Sequence, residues 1–186
     1  AARLWVATRG HNFDFESWLI AADIFSHGGN IYAETTRYSY GPIWYVVLGI
    51  FWQVARLLPN SAVAFRYIIP SFLTFADIGI FVVLKRKFGL IAAVLFFLNP
   101  ISIIISGYHL QFDNVAIVLG LIAVDLWGEQ SDTALDKRKL ASLAILGLSI
   151  AAKHVLFAFP LWLALKQKRL VTKIVVLVLP VSLFLL

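Results

Sequence analysis

Three clusters of polar residues stand out from an otherwise apolar chain and could carry chemistry. The first, Asn12-Phe13-Asp14-Phe15-Glu16-Ser17-Trp18, places two carboxylates just ahead of a short amphipathic stretch that ends at Gly28-Gly29. Asp14 has two readings: the N-cap of a helix, accepting a bond from an unpaired backbone N–H, or an acid held for chemistry. The second cluster runs from Asn99-Pro100 to Gly107-Tyr108-His109-Leu110-Gln111-Phe112-Asp113-Asn114. His109 and Asp113 are four apart, so on a helix they would share a face. An ionisable group at membrane depth is costly and is a functional hypothesis by default. The alternative is a polar cap that satisfies helix ends at an interface. His109, Gln111 and Asp113 make no metal-ligand motif, and no metal site is predicted. The third cluster is Lys153-His154, far from the other basic residues within an apolar run. Snorkelling suits lysines near helix ends and serves poorly here. A hairpin tip would instead let Lys153 meet an anionic lipid phosphate.

These residues must be positioned by elements that a membrane tolerates. Of 186 residues, 61% are hydrophobic and 14% charged, with a mean hydropathy of +0.86. Soluble domains are closer to half apolar and a quarter charged. An ordinary cytosolic domain, a disordered tail and a nucleic-acid module are thereby excluded, and the net charge of +6 reads as loop charge around membrane spans. No cysteine is present, so there is neither a disulfide framework nor a thiolate nucleophile. The chain begins without Met and stops within an apolar run, which reads as a piece of a longer multi-span protein.

Spanning helices need about 17–25 mostly apolar residues. Residues 67–84 and 90–106 qualify, 115–127 is short unless it extends back to 112, and 170–186 begins another span. Asp77 and Asp125 are lone acids within such runs, each expected at a packing contact or near an interface. Residues 43–58 form a shorter aromatic run that lies along the outer surface or dips in and returns. The clusters Lys85-Arg86-Lys87, Lys137-Arg138-Lys139 and Lys166, Lys168, Arg169, Lys173 hold ten of the sixteen Lys and Arg. Placing all three on the cytoplasmic side makes 67–84 run inward, 90–106 outward and 115–127 inward. Residues 140–165 must then start and finish inside, as two short arms turning near Lys153-His154. The expected fold is all-α and polytopic, with residues 1–66 an outer-face loop bearing short amphipathic helices and 67–186 a partial membrane domain. Nine of the twelve Trp and Tyr precede residue 70, either as an interfacial belt or as stacking faces for a sugar or isoprenoid.

In their order, Asp14-Phe15-Glu16, Tyr38-Ser39-Tyr40-Gly41-Pro42, Asn99-Pro100 leading to His109-Leu110-Gln111-Phe112-Asp113, and Lys153-His154 before Pro160 resemble the GT-C glycosyltransferases. The nearest likeness is to the dolichyl-phosphate-glucose glucosyltransferase group and its prokaryotic relatives. That group has an Asp-aromatic-Glu pair in the first outer loop, then Tyr-Pro-Pro, then His-Phe-Gln-Tyr-Asn, then Lys-Gln before a Pro. The likeness covers roughly residues 12–165. Three departures stand out: Gly41 replaces the first Pro, Asp113 an Asn, and His154 a Gln. They bear on the identity of sugar and acceptor.

The resemblance implies a GT-C-type helical bundle and an inverting transfer of a hexose from a polyprenyl- or dolichyl-phosphate donor to an acceptor hydroxyl at the outer face. The acceptor would be a glycan or a lipid-linked sugar, and membrane lipids and the donor would be the partners, with no nucleic acid. Asp14 would be the base by carry-over, with Glu16 orienting the acceptor. His109, Gln111 and Asp113 would hold sugar or phosphate, Tyr40 would line the substrate site, and Arg37, Lys153 or His154 would stabilise the developing phosphate charge. No cofactor is expected, and a divalent ion is possible without being expected. The location implied is a prokaryotic plasma membrane, with the endoplasmic reticulum as the alternative. The competing class is a secondary transporter or lipid-linked-sugar flippase, since broken helices and buried charges also mark substrate pathways. A non-catalytic membrane subunit would leave the acidic outer loop unexplained.

Overall fold

The computed structural model describes residues 2–128 and 135–185. The described chain is all-α, with no strand among these residues. It packs as two units, Ala1–Asn114 and Val115–Leu186. This division follows packing, whereas the expected division at residue 66 follows a membrane boundary.

In the first unit, α1 spans Ala2–Thr8, α2 Phe13–Ser26, α3 Ile31–Glu34 and α4 Pro42–Ala55. Asn12, not Asp14, caps α2: its side-chain oxygen accepts from the Asp14 N–H at 3.1 Å. Asp14 therefore sits within the first turn, where the positive end of the helix dipole favours a carboxylate. At the other end Gly28 takes φ 71°, and the Gly28 and Gly29 N–H groups bond back to Phe25 and Ile24 carbonyls at 3.1 and 3.0 Å. That is a Schellman closure, which needs a residue free to adopt positive φ. The buried face of α2 carries Phe15, Trp18, Ala21 and Ala22, and α4 presents buried Trp44 and Leu48. Close approach of these helices requires Gly49, because a Cβ there would overlap the Phe25 ring. Pro42 occupies the first helical position of α4, where its missing N–H costs nothing.

The long helix α5, Ser61–Phe97, covers the run expected to span at 67–84 and the first half of that expected at 90–106. Gly89 interrupts it at φ 88° and ψ 172°, just past Lys85-Arg86-Lys87. Residues 61–88 alone reach about 40 Å at 1.5 Å per residue, against a hydrocarbon core of about 30 Å. Beyond Gly89 the chain turns back along the first arm. Phe97 meets Phe81 with ring centres 5.5 Å apart, Ser106 Oγ donates to Asp77 at 2.9 Å, and the Asn114 amide donates to the Leu73 carbonyl at 2.7 Å. Pairings that move outward on both sides of Gly89 define an antiparallel hairpin with the basic cluster at its tip. The returning arm is not one helix, as expected for 90–106. It breaks at Leu98-Asn99, where Asn99 caps α6 (Pro100–Ile104), and it continues as a π-helical turn, Ile105–His109.

Asp77 is not alone in this apolar setting. Its carboxylate accepts from Arg3 Nε at 2.5 Å, and the same guanidinium donates to the Phe97 carbonyl and to Ser102 Oγ at 3.1 and 3.0 Å. Arg3 and Asp77 are both fully enclosed, which fixes α1 against the hairpin.

The second unit contains most of α7 (Asp113–Trp127), α8 (Lys137–Ala152), a 3-10 turn at His154–Leu156, α9 (Phe159–Leu165) and α10 (Leu170–Leu185). Ser142 and Ser149 hydroxyls on α8 donate to the Ala123 and Ala116 carbonyls of α7 at 2.6 and 2.7 Å, which ties the two helices together. The run 140–165 does turn at Lys153: this residue is extended, and the helical arms on either side differ in direction by 118°. Among the described residues one helix, Ser61–Phe97, is long and apolar enough to cross a membrane. The bent pair Lys137–Ala152 with His154–Leu165 meets the same test only if its arms count as one broken span.

Candidate functional site

The first turn of α2 meets the end of the π-helical turn, and a chain of polar side chains joins them. Asp14 Oδ2 accepts two amide bonds, from Asn12 Nδ2 at 2.7 Å and from Gln111 Nε2 at 2.8 Å. Asn12 Nδ2 also lies 2.7 Å from His109 Nδ1. The orientation of the Asn12 amide is fixed by its capping bond, since Oδ1 must face the Asp14 N–H. Nδ2 is thus a donor toward His109, so His109 Nδ1 accepts and the ring proton resides on Nε2. Gln111 in turn hydrogen-bonds the Tyr40 hydroxyl. The Tyr40 phenol is pushed above its usual range, first by burial and then by the Asp14 charge, with Asp113 adding in the same sense. Tyr40 therefore stays protonated and can donate.

Backbone geometry makes this meeting possible. Leu110 adopts φ 56° and ψ 33°, a left-handed conformation that costs a non-glycine residue roughly 1–3 kcal/mol and persists only where surroundings over-determine it. Here the surroundings are explicit. The Leu110 side chain is buried, its carbonyl accepts from Trp18 Nε1 at 3.3 Å, and the Gln111 N–H bonds back to the Ile105 carbonyl at 3.1 Å. Trp18 in turn lies against Tyr38, Tyr40, Trp44 and Phe112, with Trp44 and Phe112 stacked at 4.2 Å. This aromatic floor locks α2, the 38–41 turn, α4 and the 110–112 segment together beneath Asp14. Trp18, Tyr38 and Trp44 are therefore core residues, and burial raises the Tyr38 phenol well above its ordinary value. Tyr32 remains exposed, its hydroxyl donating to the Tyr40 carbonyl at 2.8 Å.

Of the residues read from the sequence, Asp14, Tyr40, His109 and Gln111 come together, with the Asp113 charge within range of Tyr40. His109 and Asp113 do not share a helix face, because the left-handed Leu110 separates the π turn from the start of α7. Glu16 and Arg37 are placed apart from this chain of bonds. Arg37 lies over the Phe13 ring at 3.5 Å and donates to the Phe13 carbonyl, to Ser17 Oγ and, at 3.4 Å, to the exposed Glu16. Arg37 thus braces the first turn of α2 from its far side. Lys153 and His154 belong to the second unit, at the 118° break, where Lys153 ends α8 with its N–H on the Ser149 carbonyl. Asn12 is the member that residue-type reasoning passed over. Its signal was an Asn two residues ahead of the acid and directly before an apolar run, the usual place of a cap.

Among the described residues no group of three or more His, Asp or Glu could hold a metal ion. No protein-family model, no curated protein and no solved structure matches the chain.

Proposed function

We propose that this chain is part of a polytopic GT-C-type enzyme, an integral-membrane inverting glycosyltransferase that moves a hexose from a polyprenyl- or dolichyl-phosphate donor to an acceptor hydroxyl. The observation that carries the proposal is the state of Asp14. Two amides hold one of its carboxylate oxygens, and Oδ1 has no partner among the described residues. In the reaction the acceptor hydroxyl gives its proton to Asp14 Oδ1 while its oxygen attacks the anomeric carbon. The bond from that carbon to the phosphate oxygen breaks, and the lipid phosphate leaves carrying the electron pair. A base so placed contributes typically 10²–10⁴-fold. His109, with its proton on Nε2, and Tyr40 each offer a donor to sugar or phosphate oxygens. Assigning Lys153 and His154 to the phosphate rests on the resemblance, as does an outer-face, plasma-membrane location. The hairpin at Gly89, with basic residues at its tip, supports a cytoplasmic placement of that tip and an opposite placement of Asp14.

The experiment offers purified full-length protein a panel of polyprenyl-phosphate hexoses and nucleotide hexoses, with co-extracted glycolipid as acceptor. Transfer from the lipid-linked donors alone supports the proposal. Transfer from nucleotide sugars would replace the donor class.

A second reading is favoured by one observation, the enclosed Arg3–Asp77 pair within an apolar hairpin whose helices are broken at Gly89 and Asn99. Buried charges beside helix breaks also mark substrate paths in transporters. Substrate-dependent flux into vesicles, without transfer, would establish that reading.

A further inference from the structure

His109 and Gln111 belong to residues 106–114, and both ends of that segment are fastened to the first arm of the hairpin. At one end Ser106 Oγ donates to Asp77 Oδ2 at 2.9 Å. At the other the Asn114 amide donates to the Leu73 carbonyl at 2.7 Å, about one helical turn away on the same arm. Ser106 and Asn114 are both buried. Between them lie the rest of the π turn, which ends at His109, and the left-handed Leu110.

A π turn holds one residue more than an α-helical turn, and such turns are rare and concentrated at functional sites. Drawing that residue back into an α-helical turn would rotate everything after it by about 100° and shift it by about 1.5 Å. His109 and Gln111 would then leave Asn12 and Asp14. Two contacts oppose that relaxation. Ser106 shares Asp77 Oδ2 with Arg3 Nε, so the turn is fastened to the same oxygen as α1. Gly107 lies against the Arg3 backbone, and a Cβ at 107 would stand 2.6 Å from the Arg3 carbonyl oxygen. Arg3 also donates to the Phe97 carbonyl and to Ser102 Oγ, so it braces the returning arm on both sides of the break at Leu98-Asn99.

We propose that Ser106 and Gly107 are positioning residues for the site at Asp14. They hold the π turn against the Arg3–Asp77 pair, and the turn in that form sets His109 on Asn12 and Gln111 on Asp14. Their influence on the reaction runs through His109 and Gln111. The inference rests on the reading of Asp14 as the base for its effect on turnover, and on geometry alone for its effect on His109.

The test labels the histidine ring nitrogens isotopically in the full-length protein and reads His109 by NMR in detergent micelles, with His109→Gln supplying the assignment. The wild-type ring is expected as the Nε2–H tautomer alone, with Nδ1 accepting from Asn12. Ser106→Ala leaves the Arg3–Asp77 pair in place and so keeps the fold, while Gly107→Ala acts on the same turn from the side of α1. Each is expected to turn the His109 signal into a mixture of tautomers and to leave that of His27, bonded to Glu34, in place. Each should also lower kcat for hexose transfer by about tenfold or more, the effect of a small misplacement at the reacting groups. A His109 ring that keeps a single tautomer in both variants would overturn the proposal, as would a mixture of tautomers with wild-type kcat. Wild-type protein that transfers hexose from no donor would instead overturn the reading of the reaction, and the His109 tautomer then tests the positioning by itself.

Discussion

At the scale of single residues, Asn12 has two tasks that substitution can separate. As an N-cap it stabilises α2 by about 1 kcal/mol relative to alanine. Through Nδ2 it steadies Asp14 and sets the His109 tautomer. Serine caps as well as asparagine does but has no amide to offer. Asn12→Ser is therefore expected to leave the melting temperature nearly unchanged and to lower transfer by about tenfold, the rate effect of about 1.4 kcal/mol. Asn12→Ala should lower both, as read by thermal unfolding and turnover on the same preparations. Unchanged transfer in Asn12→Ser would assign Asn12 to capping alone. The sequence singled out Asp14 through its place in an acid pair ahead of an apolar run, and the structure brings it against Asn12 and Gln111. Its neighbour Glu16 was not separable from it by type. Two residues along a helix turn a side chain by roughly 200°, and only the structure shows Glu16 directed to Arg37.

Elements show where packing chose among alternatives that patterns left open. The hairpin breaks at Gly89, which the basic cluster announces. The break at Leu98-Asn99 had a signal in Asn99-Pro100, which the apolar residues on either side outweighed in the expected 90–106 span, and no residue pattern marks the π geometry of the turn beyond it. The enclosed Arg3–Asp77 pair joins α1 to that hairpin. Removing one partner strands the other charge, so Asp77→Ala is expected to destabilise by about 3–5 kcal/mol. Replacing both by apolar residues of similar volume should recover most of that loss, measured by denaturant unfolding in detergent. Equal destabilisation by the single and double variants would contradict the pairing.

A second link joins the end of α2 to α3, where His27 and Glu34 stand 3.0 Å apart. The hydrogen bond to Glu34 raises the His27 pKa above its ordinary 6.5, and the same bond lowers Glu34 below its ordinary 4.5. The His27 contribution is complete below 6.5 and is lost as pH rises through the raised value. The Glu34 contribution is present above 4.5 and is lost as pH falls through the lowered value. The pair therefore stabilises most between those two ordinary values. Both groups are solvent-exposed, so the effect is small, and His27→Gln should flatten it in a pH series of melting temperatures.

For the whole molecule, the all-α class followed from composition. The two-armed shape of residues 140–165 followed from requiring basic clusters on one side, and the extended Lys153 at the 118° bend agrees with it. Less legible was the packing of the chain into units that divide at residue 114, because helix-to-helix contacts far apart in sequence leave no local pattern. Sidedness gives a direct prediction in this cysteine-free chain. Tyr32 and Phe88 are both exposed, the first beside the aromatic turn and the second at the hairpin tip. A cysteine at 32 should react with an impermeant maleimide from outside intact cells, and one at 88 only after permeabilisation. Outside labelling at 88 would invert the arrangement.

The central claim is that Asp14 takes the acceptor proton in transfer from a lipid-phosphate hexose. Its most direct measurement is turnover of full-length protein and of Asp14→Asn, side by side in native lipids, on the same polyprenyl-phosphate hexose. A fall of about 10²-fold or more with unchanged helicity and yield is the result the claim predicts. Near-normal turnover in Asp14→Asn would contradict it.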